Sequence, residues 1–179
     1  MKKLSESDTD TVNSLATQSD HDGATFITGS PEETIELGRR IGAMLVPGDV
    51  VALVGELGTG KTCFTKGIAL GLGVPAEQFV RSASFVIVNR YDGAYPIWHV
   101  DAYRLDSPLD FVALGYEEYI DSECVAVIEW AEKTGDVLPA RTVRISFEHL
   151  TPTERRIHVD FSGISTARKP QWRRVLGAR

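Results

Sequence analysis

The chain has 179 residues, 42% hydrophobic and 25% charged, which are the proportions of an ordinary globular protein. Its 25 acidic and 19 basic side chains give a formal charge of −6, so a surface that is basic all over, of the kind that grips nucleic acid generally, is excluded. No run approaches the ~18 apolar residues of a membrane span, no apolar segment follows Lys2 and Lys3 to make a secretory signal, and Cys63 and Cys124 alone make no disulfide framework, so a cytoplasmic protein is expected.

Residues 1–24 are rich in Ser, Thr and Asp, with Leu4, Val12 and Leu15 as larger apolar side chains, and are expected to form a disordered tail. A short strand around Phe26 and Ile27 follows. Ser30-Pro31-Glu32-Glu33 reads as a helix start, with Ser30 as the cap, Pro31 at the first position and Glu33 closing a capping box. Leu37, Ile41, Met44 and Leu45 continue the helical period until Pro47-Gly48 stops it. The unalternating run 50–54, Val-Val-Ala-Leu-Val, has the character of a parallel strand buried on both faces. A glycine-rich segment, 55–60, leads into a helix marked by Phe64, Ile68 and Leu72 and ending near Gly73. Residues 85–91 and 95–101 flank Asp92-Gly93 as a hairpin. A helical stretch over 108–119, a second apolar strand over 124–128 and a strand pair at 142–147 and 156–161 complete the folded region, 25–162. Residues 163–179 form a basic C-terminal segment in which Trp172, Val175 and Leu176 predict one face of a short helix.

The chemistry is concentrated in Gly55-Glu56-Leu57-Gly58-Thr59-Gly60-Lys61-Thr62, which fits G-x-x-x-x-G-K-[ST] between a buried strand and a helix, the context that pattern requires. Glycines let the backbone fold around an oxyanion with its N–H groups pointing inward, and the following helix adds its positive end. In this reading Lys61 neutralises the β- and γ-phosphates, the Thr62 hydroxyl ligates Mg2+, and the Cys63 N–H faces the α-phosphate. The motif predicts a P-loop NTPase-type three-layer α/β sandwich with a largely parallel central sheet plus antiparallel additions. No Asn/Thr-Lys-x-Asp segment for guanine occurs, which favours ATP. Asp101 and Glu129 each end a strand where open α/β sheets bind ligands, and either suits the metal or the attacking water.

These residues carry a resemblance. The chain resembles the TsaE (YjeE) family, small bacterial P-loop ATPases of tRNA threonylcarbamoyladenosine synthesis, over about residues 25–162. The likeness rests on Ser30-Pro31-Glu32-Glu33-Thr34, the P-loop, a switch-like Ser82-Ala83-Ser84-Phe85, Asp101-Ala102-Tyr103-Arg104-Leu105, and Glu129-Trp130 after an apolar strand. Ala83 stands where the family commonly has proline, Ser84 where it has threonine, and Cys63 where it has threonine. The resemblance implies an ATPase that assists a complex of TsaB and TsaD in forming threonylcarbamoyladenosine beside the anticodon, meeting tRNA indirectly. By position, Thr62 and Glu129 are then expected to hold Mg2+, and Asp101 to serve the water or the switch.

Other residues admit two readings. Trp130 suits stacking near the nucleotide or plain packing, and Tyr103 packing or a switch role. Arg104 suits phosphate, a partner or a surface ion pair, and His99 packing, a hydrogen bond or a catalytic role. The turn 151–155 is a candidate lid over the adenine. Residues 141–179 hold 9 bases against 3 acids, where 1–140 hold 10 against 22, so the basic end is the one candidate for direct contact with tRNA. A small-molecule P-loop kinase shares the cradle, but the segment after Asp101 is acidic and offers no arginine-bearing lid. No arginine finger is evident either, which predicts weak hydrolysis without a partner.

Overall fold

Two apolar runs with no alternation of their own become neighbours at the centre of one sheet, and each divides its side chains between two cores. The computed structural model describes residues 16–19, 23–76, 78, 87–120 and 123–177. Its strands are β1 (Ala16–Ser19), β2 (Gly23–Thr28), β3 (Val50–Gly55), β4 (Val88–Asp92), β5 (Pro96–Asp101), β6 (Val125–Glu129), β7 (Val143–His149) and β8 (Arg155–Asp160). Its helices are α1 (Pro31–Gly42), α2 (Lys61–Gly71), α3 (Pro108–Ala113), α4 (Glu117–Ile120) and α5 (Lys169–Leu176). The strands form a single sheet in the order β1-β2-β8-β7-β3-β6-β5-β4. The four inner strands β7, β3, β6 and β5 are parallel, and the flanking pairs are antiparallel.

Val51, Leu53, Val125 and Val127 face one core with Leu37 and Ile41 of α1, Phe64 and Ile68 of α2, and Trp172 and Leu176 of α5. Val50, Ala52, Ala126 and Ile128 face the other, with Phe111 of α3 and Ile120 of α4. Helices on both faces of a largely parallel sheet make the expected three-layer sandwich. Among the described residues no helix is long and apolar enough to cross a membrane.

Local signals act mostly as read. Ser30 Oγ accepts from Glu33 N at 3.2 Å, although the Glu33 carboxylate reaches back to Gly29 N, at 2.7 Å, one residue before the cap. The hairpin β4–β5 turns around Asp92-Gly93, with Asp92 opposite Pro96. Two features differ. β1 and the start of β2 lie within 1–24, so part of the segment expected to be a tail adds an edge strand to the sheet. The helical stretch over 108–119 is two short helices, separated where Gly115 takes a φ of +71°.

The contact between α1 and α2 was not anticipated. A β-carbon on Gly38 would lie 2.4 Å from the Phe64 carbonyl oxygen, one on Gly42 2.3 Å from that of Ile68, and one on Gly67 2.1 Å from that of Ile35. The helices therefore touch backbone to backbone, and α1 braces the helix on which the glycine-rich loop is mounted.

Candidate functional site

The loop between β3 and α2 turns at three positions whose backbone favours glycine. Gly55, Gly58 and Gly60 have φ of +148°, +80° and +100°, and a side chain on Gly55 would meet the Phe147 carbonyl oxygen of β7 at 2.5 Å. Thr59 is fully buried and donates its hydroxyl to Glu56 O at 2.8 Å, closing the turn. Leu57, Gly58, Gly60, Lys61, Thr62, Cys63, Glu129 and Trp130 line a cavity of about 220 Å³.

Lys61 points back into its own loop. Its Nζ donates to Gly55 O at 2.5 Å and Glu56 O at 2.8 Å and lies 3.8 Å from the centroid of the Trp130 ring. Burial pushes its pKa below the ordinary lysine value, against the upward pull of Glu129, Glu132 and Asp101. The cavity thus holds a desolvated cation whose present partners are neutral dipoles and an aromatic face.

Opposite stands Glu129, the last residue of β6 and 2% exposed. Its Oε2 accepts from the Thr62 hydroxyl at 2.9 Å, and its Oε1 accepts from the Thr65 hydroxyl and from His99 Nε2, each at 2.9 Å. Burial pushes this carboxyl up, but the hydrogen bond and electrostatic interaction with His99, joined by the hydrogen bonds from Thr62 and Thr65, outweigh burial and hold it below the ordinary glutamate value. The parallel register sets Glu129 beside Leu53 of β3 on one side and Asp101 of β5 on the other, at the carboxyl ends of all three strands.

Asp101 is buried at that edge, and its Oδ1 accepts from Tyr103 N at 3.1 Å, capping a 3-10 turn over Ala102–Arg104. The two acids, equivalent in the sequence, are thus differently engaged: Glu129 meets the P-loop helix, and Asp101 meets the segment that follows it. Trp130 is the one non-glycine with positive φ among the described residues, at +59°. This backbone turns its ring over Lys61 and against Tyr103, whose ring centroid lies 4.9 Å away. Lys133 holds the same segment by donating to Tyr103 O and to Leu105 O. Tyr103 and Arg104 are exposed at the rim.

The turn 151–155 is anchored beside the loop. Arg155 Cδ and Nε lie 3.5 Å from where a β-carbon of Gly60 would sit, and Nη1 donates to Thr153 O at 2.8 Å. Ser82 and Ser84, the candidate switch residues, lie outside the described residues. Cys63 lines the cavity, whereas Cys124 is buried and donates to Tyr119 O. Arg168, from the basic end, pairs with Asp49 at 2.6 Å and donates to Met44 O, tying α5 to the core. Thr65 was overlooked by the sequence reading. The signal for it was present: it follows Thr62 by three residues, on the same face of α2.

Comparison with known proteins gives a consistent result. The sequence profile of the family described as "Threonylcarbamoyl adenosine biosynthesis protein TsaE" matches residues 28–157. A tRNA threonylcarbamoyladenosine biosynthesis protein TsaE from Treponema pallidum is 41% identical over 133 residues, covering 74% of this chain and 97% of its own. The protein of the same name from Bacillus subtilis is 39% identical over 131 residues, covering 73% and 80%. A crystal structure of Bacillus subtilis YdiB superposes with a TM-score of 0.71 at 32% identity, covering 86% of this chain and 93% of that one.

Proposed function

The chain belongs to the TsaE family of tRNA threonylcarbamoyladenosine biosynthesis proteins, and on that premise we propose that it binds ATP with Mg2+ and hydrolyses it in support of a TsaB–TsaD complex. The observation that carries this reading is the hydrogen bond from Thr62 to Glu129 at the mouth of the glycine loop, which brings a hydroxyl and an ionised carboxylate together next to a buried lysine.

That pair suits Mg2+. Both are hard oxygen donors, and Mg2+ is commonly held by one or two protein groups with phosphate oxygens and waters completing its octahedron. Among the described residues no cluster of three or more His, Cys, Asp or Glu side chains forms a cage of its own, consistent with an ion that arrives with the nucleotide. Bound there, Mg2+ would neutralise charge on the β- and γ-phosphates.

The remaining work belongs to the chain. The loop N–H groups and the start of α2 receive the phosphates. Lys61 exchanges the carbonyls of Gly55 and Glu56 for phosphate oxygens, a favourable exchange because its ammonium is already desolvated. Asp101, one strand over from Glu129, is the residue assigned to the attacking water or to the switch segment. Among the described residues no arginine lines the cavity, Arg155 standing beside Gly60 outside it, and slow hydrolysis by the chain alone is expected, with further charge supplied by a partner. The acidic body of the protein makes contact with tRNA indirect, through TsaB and TsaD.

Phosphate release from Mg-ATP tests the reading, measured for the chain alone and with TsaB and TsaD. Slow release that rises with the partners, and falls at least a hundredfold in Lys61→Ala, is expected. Intact ATP binding and turnover in Lys61→Ala would overturn it, and a phosphorylated small molecule in place of free phosphate would point to a kinase.

A further inference from the structure

The two oxygens of Glu129 are held from different directions. Thr62, which lines the cavity, serves Oε2, while Oε1 is saturated from behind by Thr65 of α2 and His99 of β5. His99 is fully buried, with Ile97 two residues before it, Asp101 two after it and Val127 opposite it on β6. Tyr91 flanks the imidazole, with ring centroids 6.2 Å apart and planes inclined by 28°. Packing alone does not account for a histidine there, because its Nδ1 is buried with no hydrogen-bond partner among the described residues.

The hydrogen-bonding arithmetic fixes the ring. An ionised carboxylate only accepts, so Nε2 carries the proton that meets Oε1. Nδ1 has no hydrogen-bond partner among the described residues, so Nε2 is the ring atom that engages the protein. Through Nε2–H it gives Glu129 a directed donor.

We infer that His99 is a positioning residue for the metal-holding carboxylate: by donating to Oε1 it locks the Glu129 rotamer so that Oε2, beside the Thr62 hydroxyl, is the oxygen offered to Mg2+. The inference rests on the Mg-ATP reading of the site. Groups that orient a metal ligand typically change metal affinity by about 10–100-fold when removed, whereas a group that only fills space does not act on the metal selectively.

Two substitutions separate these cases with similar chemistry. In His99→Gln the side-chain amide N–H sits where Nε2 was; in His99→Asn it sits where Nδ1 was and does not reach Oε1. The measurement is ATP affinity of the full chain by calorimetry, in Mg2+ and in EDTA, with thermal melts of each variant. Wild type and His99→Gln are expected to share the same enhancement of affinity by Mg2+. His99→Asn should lose about tenfold of that enhancement, with its affinity in EDTA changed less than twofold. Equal enhancement in the two variants overturns the positioning role, as does a loss that appears equally in EDTA. Long-range 1H–15N correlation of the unliganded chain gives a second readout, since a pattern without a proton on His99 Nε2 also overturns it. If wild type binds ATP in neither buffer, the Mg-ATP reading itself is what fails.

Discussion

Replacing Gly67 by alanine sets two physical effects against each other. Gly67 is in the interior of α2, where helix propensity alone favours alanine by about 1 kcal/mol. The structure opposes this: the added carbon would lie 2.1 Å from Ile35 O and 2.9 Å from Arg39 N, both backbone atoms of α1. Ordinary contact needs more than about 3.4 Å, so the helices must part by roughly an ångström along a seam packed with Leu37, Ile41, Phe64 and Ile68. Overpacking of this kind costs about 1–3 kcal/mol, and more where the obstacle is rigid backbone. The upper part of that range applies here, and the net expectation is a loss of about 1–2 kcal/mol. For a chain of this length that lowers Tm by about 2–8 °C. Parting the helices also moves Thr62 and Thr65 away from Glu129, so Mg-ATP affinity should fall together with stability. Urea unfolding followed by circular dichroism, with calorimetric titration of Mg-ATP, measures both. A Gly67→Ala protein at least as stable as wild type would mean that the contact does not hold the helices in place.

Three further expectations follow from the same geometry. Because the folded pKa of Glu129 lies below its unfolded value, the unfolded chain binds the proton first as pH falls; the advantage of wild type over Glu129→Gln should be level from pH 7.5 to about 5.5 and shrink below about pH 4, as urea midpoints across pH would show. Trp130 lies over the Lys61 ammonium, so Mg-ATP should change tryptophan emission in wild type and leave it nearly unchanged in Trp130→Phe, which keeps Trp98 and Trp172; an equal response in both would place the reporter elsewhere. Arg168→Ala removes a partly buried ion pair with Asp49 and a bond to Met44 O, so a loss of about 1–2 kcal/mol is expected together with earlier exposure of Trp172 on heating; no change in either would assign the anchoring of α5 to its apolar face alone.

What the sequence disclosed and what it hid follow a physical division. Elements with their own punctuation were legible: the apolar runs that became β3 and β6, the Asp92-Gly93 turn, the capped start of α1, and a glycine loop whose chemistry is contained in eight consecutive residues. Features whose meaning lies in a distant partner were not. Gly38, Gly42 and Gly67 look like weaknesses in a helix until the opposing backbone is in view. His99 and Glu129 are thirty residues apart, and only the β5–β6 register brings them into contact. Asp101 and Glu129 look alike in the sequence for the same reason, and only in the fold is it visible that the hydroxyl of Thr62 donates to Glu129. β1 eluded the reading because four mostly polar residues at a sheet edge carry no periodic signal.

The position of β3 also sets an order of events during synthesis. Its neighbours are β6, some 75 residues further along, and β7, where Phe147 lies opposite Gly55. All eight residues of the glycine loop have been synthesised 85 residues before Phe147 is added. At about 5–20 residues per second that is an interval of roughly 4–17 s. Throughout it the nascent chain carries every atom of the phosphate cradle with one of its flanking strands still missing. Pairing over such separations is also intrinsically slow. The cradle can therefore be completed only late, so nucleotide is more apt to stabilise the finished protein than to guide its folding, and a chain truncated before residue 143 should carry the motif without its function.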